Sequence, residues 1–189
     1  MNPETMPALE SMTEGGLRLF SLYLDFNASV RARWGTSQIA RLAGEHWTAT
    51  TEMWNLDSLA AGEPIRKLIT QEAADADVLI VAMSSIDRRE LELVQWLDSV
   101  AAFKKSRPVS GLFVGLLGDE NSRPGELDWT IKQFLGCARR LDRDFIWRWM
   151  DHEAMDSNDW LGESVATLLT RKQSAPEAIF WPGTALGAA

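Results

Sequence analysis

The 189-residue chain has a single cysteine, Cys137, so no internal disulfide can form. A lone thiol suits a reducing compartment, and a cytoplasmic location is expected. Basic charge is scarce as well: 19 Lys and Arg stand against 27 Asp and Glu, giving a net charge of -8. Nucleic-acid affinity comes largely from clustered cations that displace counterions, so neither nucleic acid nor an anionic membrane is an expected partner. The longest strongly apolar run, 109–118, is about half of the ~20 residues a spanning helix needs. The opening Met1-Asn2-Pro3-Glu4 carries acid where a secretory leader carries base, so export is not expected. Histidine is limited to His46 and His152, far apart, with no H-E-x-x-H and no cysteine pair, so no zinc site is expected. The phosphate loop G-x-x-x-x-G-K-[ST] is missing too, which removes P-loop nucleotide hydrolysis.

What is present reads as one globular unit, because 46% hydrophobic and 24% charged residues over this length suffice for one buried core. Residues 1–16 mix Pro, Glu, Ser, Thr and Gly without periodicity and are expected to be a flexible tail. The domain is placed at 17–172, and a Pro, Gly and Ala-rich tail at 173–189. Within the domain, apolar runs alternate with helical patterns. The run 17–26, LRLFSLYLDF, reads as a first strand, with Asn27 as the cap of a helix over 28–45 whose stripe is Val30, Trp34, Ile39, Leu42 and Ala43. Alternation over 47–54 predicts a second strand, and Ile65, Leu68, Ile69 and Ala73 predict a helix that Pro64 helps to start. The run 78–83, VLIVAM, is continuous and apolar, as a central parallel strand buried on both faces should be. A third helix begins at Asp87, with Leu91, Val94, Leu97, Val100 and Ala101 on one face. Strands at 110–117 and 145–150, with helices at 127–140 and 160–171, complete the pattern.

Strands alternating with helices imply right-handed crossovers and a parallel sheet. The expected fold is therefore α/β, three-layer and doubly wound, with a mainly parallel five-stranded sheet in the flavodoxin-like order 2-1-3-4-5. Ligands of such sheets sit beyond the carboxyl ends of the strands, where the winding direction switches. That rule nominates Asp25, Asn27, Ser84, Ser85 and Asp119 as a candidate ligand-binding crevice. No G-x-G-x-x-G follows the first strand, where the turn reads DFNASV, and a flavodoxin-style Ser/Thr/Gly phosphate loop is absent. Bound dinucleotide or FMN is disfavoured on that ground, and no cofactor is expected.

The order of elements and the sequence LYLDF, an apolar strand closing on an acid, resemble the receiver domain of two-component signalling across most of 17–150. That resemblance implies an acidic pair after the first strand, a phosphoacceptor aspartate after the third, a Thr or Ser after the fourth and a Lys near the end of the fifth. Here the first site keeps only Asp25, Met83-Ser84-Ser85 replaces the phosphoacceptor, Gly118-Asp119 replaces the hydroxyl, and Trp149-Met150 offers no Lys. A lone acid is a poor Mg²⁺ site, so receiver chemistry is lost even if the frame is kept. The stretch 54–85, with AADADVLIVAMSS, is similar to stand-alone proteins of environmental bacteria that carry no known activity.

Each chemical candidate also has a structural reading. Asp25 can orient a ligand or act as a base, but an acid at a helix start is more often a cap. Ser84 and Ser85 lack a G-x-S-x-G context and suit capping. The cluster Asp151, His152, Glu153, Asp156 and Asp159 reads as a solvated acidic loop rather than a metal site. Arg139, Arg140, Arg143 and Arg148 are interleaved with Asp142 and Asp144, which are expected to pair with them. Nine tryptophans are unusual for this length. Trp34, Trp96 and Trp129 fit helix core stripes. Trp47, Trp54, Trp147 and Trp149 fall on the presumed edge strands, where uncovered aromatic surface invites association. The expected function is a non-catalytic, receiver-like signalling or interaction module with a protein partner or a homo-oligomeric state. The alternative is a small-molecule or nucleotide-related enzyme using the crevice beyond the first, third and fourth strands.

Overall fold

The computed structural model describes residues 15–84, 89–103, 110–118, 125, 127–150 and 159–175. These residues form strands β1 (Gly15–Tyr23), β2 (Trp47–Asn55), β3 (Val78–Met83), β4 (Gly111–Leu117) and β5 (Arg143–Trp149). Between and after them come helices α1 (Phe26–Ala43), α2 (Glu63–Asp75), α3 (Glu90–Phe103), α4 (Asp128–Arg140) and α5 (Asp159–Ser174), with a short 3-10 segment at Leu56–Ala60. The sheet order is β2-β1-β3-β4-β5, and all four pairings are parallel, with Leu19 opposite Val78 and Val78 opposite Leu112. The expected architecture is therefore present. The tails expected over 1–16 and 173–189 fall largely outside the described residues, although Gly15 and Gly16 already pair with β2 and α5 runs to Ser174.

Successive side chains of a strand point to opposite faces, and that period of two divides the core. Leu17, Leu19, Val78, Ile80, Ala82, Leu112, Val114 and Leu116 face α1 and α5. Phe20, Leu22, Leu79, Val81, Met83, Phe113 and Leu117 face α2, α3 and α4. Every residue of β3 is buried, as its unbroken apolar run requires. Each such aliphatic side chain contributes roughly 1.5–3 kcal/mol of burial, so β3 holds both layers to the sheet.

Several local expectations are corrected. The first strand stops at Tyr23, and Phe26, expected to close it, lies in the first turn of α1 at 80% exposure. Asp25, not Asn27, caps that helix, its carboxylate accepting from the Ala28 N–H at 2.8 Å. The buried stripe of α1 is Ala28, Ala32, Gly35, Thr36, Ile39 and Ala43, while Val30 is exposed. Small residues win because α1 lies close to the sheet: a Cβ on Gly35 would sit 2.9 Å from Leu116 Cδ1. In α3 the buried face is Leu93, Val94, Trp96, Leu97 and Val100, and Leu91 points outward. Asp87 lies outside the described residues. Trp129, expected in a core stripe, is exposed. Of the arginines expected to pair with the interleaved acids, Arg140 in the last turn of α4 pairs with Asp98 and Arg148 lies over the Trp160 ring, while Asp144 pairs with Arg171.

Candidate functional site

The chain leaves β1 toward α1 on one face and β3 toward α3 on the other. The winding switch therefore falls between the carboxyl ends of β1 and β3. Two residues, Leu24 and Asp25, connect β1 to α1. Asp25 has extended backbone angles, as an N-cap does, and its side chain turns back over the sheet. Its Oδ1 accepts from the Ala28 N–H at 2.8 Å and from Ser84 Oγ at 2.8 Å, and its Oδ2 accepts from the Ser84 N–H at 3.2 Å. Ser84, only 5% exposed, is the residue that follows β3.

Arg31, in the second turn of α1, completes the arrangement. Its Nη1 donates to Ser84 Oγ at 2.9 Å and to the Gly118 carbonyl at 2.6 Å. Gly118 follows β4 with φ 76°, a conformation L side chains avoid, and a Cβ there would meet the Trp149 indole at 3.0 Å. The positive φ is what calls for glycine here, and a side chain would in addition press on the indole. On the other side of the β1 exit, Arg89 donates to the Leu24 carbonyl at 3.0 Å and pairs with Asp57 of the 3-10 segment.

The chemistry of the cluster follows from these contacts. One carboxylate and one guanidinium from the start of α1 and one hydroxyl from the end of β3 converge on the switch point. Their formal charges cancel, which lowers the cost of partial burial. The Ser84 hydroxyl gives its proton to Asp25 and accepts one from Arg31, so the three groups orient one another.

Of the candidates named from sequence, Asp25 and Ser84 meet directly. Asn27 is exposed in the first turn of α1, and Ser85 and Asp119 lie outside the described residues. Residues 151–156 of the acidic cluster also lie outside them, and Asp159 opens α5. Among the described residues no group of three or more His, Cys, Asp and Glu is arranged to hold a metal. The four edge tryptophans separate. Trp47 packs over Gly15 toward the α1 and α5 layer, beneath the Lys172 ammonium. Trp54 packs on the other layer and donates to Glu72 at 3.1 Å, and Trp149 packs on that layer too. Trp147 is 43% exposed. Arg31 and Arg89 were not among the candidates. The available signal was a cation near a helix amino end, where the dipole disfavours positive charge unless a tertiary partner compensates.

No protein-family model matches the chain, and no curated protein is significantly similar to it in sequence. Solved structures are similar in fold. A short-chain flavodoxin associated with a non-canonical PDU bacterial microcompartment superposes with a TM-score of 0.53, covering 82% of this chain and 99% of that one at 12% identity. An oxidoreductase from Corynebacterium diphtheriae gives 0.51, covering 85% and 93% at 9% identity. The likeness at such identities is one of fold, and the fold is flavodoxin-like.

These neighbours overturn the expectation of a non-catalytic, receiver-like signalling or interaction module. That expectation rested on element order, which different doubly wound families share and which therefore does not separate their functions. Solved structures that the chain matches in fold include a flavodoxin and an oxidoreductase. Among the described residues, no helix is long and apolar enough to cross a membrane.

Proposed function

We propose that the chain is a small-molecule enzyme on a flavodoxin-like frame, with a polar, nucleoside-type ligand in the crevice beyond β1, β3 and β4. The convergence of Asp25, Ser84 and Arg31 at the winding switch carries this reading. The fold neighbours support it, since one is a flavodoxin and the other an oxidoreductase. Asp25 serves as the proton acceptor, Arg31 as the fixed donor, and Ser84 as the hydroxyl that joins them to the ligand.

FMN is the group this fold implies, at the switch between β1 and β3. The residues present do not fit its phosphate. A two-residue turn leads into α1, and Asp25 itself occupies the Ala28 N–H that a phosphate would use. The reading therefore involves no step through FMN.

A thermal-shift panel of riboflavin, nucleosides, nucleotides and sugars tests the proposal on the full chain. At least one ligand class should raise the midpoint in a saturable way, and Arg31→Met should lose that rise while staying folded. A panel without any saturable shift, or a shift that Arg31→Met and Ser84→Ala leave untouched, overturns it. Within the same reading a second copy of the chain docks on the β5 edge, where Trp147 supplies exposed aromatic surface. Sedimentation equilibrium of the wild type and Trp147→Ser checks this: a dimer that the substitution dissociates is the expected result.

A further inference from the structure

In the doubly wound fold, the amino end of the helix after the first strand is where backbone N–H groups and the positive end of the dipole meet a ligand's phosphate. In this chain that place is filled from within. The Asp25 carboxylate gathers two backbone N–H groups, from Ala28 and Ser84, together with the Ser84 hydroxyl. Only Leu24 and Asp25 separate β1 from α1, which leaves too little backbone to wrap a tetrahedral anion. Arg31, reaching Ser84 and the Gly118 carbonyl, supplies the compensating positive charge. A phosphate brought to this end of α1 would find the Ala28 and Ser84 N–H groups already taken and the Arg31 charge already balanced by the Asp25 carboxylate, in a part-buried setting where water screens that carboxylate poorly.

We propose that the crevice selects against phosphate, with Asp25 as a built-in anion and with an uncharged, hydroxyl-bearing group of the ligand facing α1. This rests on the small-molecule reading above and narrows it to a nucleoside or polyol class, riboflavin rather than FMN. Neutralising Asp25 raises the local charge by one unit beside Arg31 and the helix dipole. The seat then becomes an ordinary anion site.

The test uses the full chain, wild type and Asp25→Asn, with inorganic phosphate titrated at constant ionic strength and the thermal midpoint as readout. The wild type should show no saturable rise. Asp25→Asn should gain one of about 3 °C, the size expected for a domain of this length at several-fold saturation. A saturable phosphate response in the wild type overturns the proposal, and so does FMN binding tighter than riboflavin by fluorescence quenching. A folded Asp25→Asn that gains nothing overturns the assignment to the carboxylate. Should Asn fail to fold, Asp25→Ser keeps a capping side chain without the charge and is held to the same outcomes. Phosphate binding by the wild type would leave the small-molecule reading standing. An empty ligand panel would remove that reading whatever phosphate does.

Discussion

Trp96 is fully buried beside Phe20, with ring centroids 6.0 Å apart, and its indole N–H donates to Thr70 Oγ1 at 3.1 Å. The Thr70 hydroxyl in turn donates to the Arg66 carbonyl at 2.7 Å. Thr70→Val keeps the shape but leaves the indole donor without its acceptor, which should cost about 1–3 kcal/mol in urea unfolding. Trp96→Ala, which adds a large cavity, should cost about 3–5 kcal/mol. Cys137 is buried in α4, and that burial is the main cause lifting its thiol to about 11; Arg140 works against the rise and Asp98 adds to it. A thiol whose proton affinity is higher in the folded chain than in the unfolded one favours folding below the ordinary value of 9.0. That contribution disappears as pH climbs from there toward about 11, so the urea midpoint should fall across this window. A disulfide reagent at pH 8 should leave the native chain unlabelled and modify it only in urea; rapid native labelling would contradict the buried setting.

At the scale of elements, α2 ends against a side chain that comes from far along the sequence. Arg143, at the start of β5 and 7% exposed, donates to the carbonyls of Ala73 at 3.0 Å and Ala76 at 2.8 Å. The carboxyl end of a helix carries unpaired carbonyls and negative potential, so a planar cation with several donors suits it. Arg143→Leu should cost about 3 kcal/mol by chemical denaturation, and Arg143→Lys should recover only part, because one ammonium cannot span the same carbonyls. A loss below roughly 0.5 kcal/mol for Leu would show that water replaces the guanidinium. The strands were legible because an unbroken apolar run such as 78–83 has few other places to go. Helix faces were less so. In α1 the buried stripe is small, Ala28, Ala32 and Gly35 included; hydrophobic pattern found Ile39 and Ala43 and the packed Trp34 and Leu42, but it missed the small residues and named the exposed Val30.

For the whole molecule, the two core layers share one sheet, and each residue of β3 serves one layer or the other. Neither layer can be lost without exposing the strands of its neighbour. Unfolding should therefore be a single transition, with tryptophan fluorescence and far-ultraviolet circular dichroism coinciding in urea. Two separated transitions would show that the layers melt independently. At the amino ends of the strands, Asp77 accepts from the Arg18 N–H at 2.8 Å and from Lys172 Nζ at 2.7 Å, tying α5 to β1.

By itself, the sequence determined the alternation of elements, their number and their parallel order, since apolar periodicity and the handedness of crossovers leave few other arrangements. It also nominated Asp25 and Ser84, because strand ends near a winding switch can be read from that order. Tertiary structure alone decided that the two residues touch and that Arg31 joins them. The contacts of Ser84 with Asp25 and of Arg31 with Ser84 and Gly118 run between segments 53 to 87 residues apart, which no local pattern encodes, whereas the Asp25 cap on Ala28 is local and was readable as an acid at a helix start.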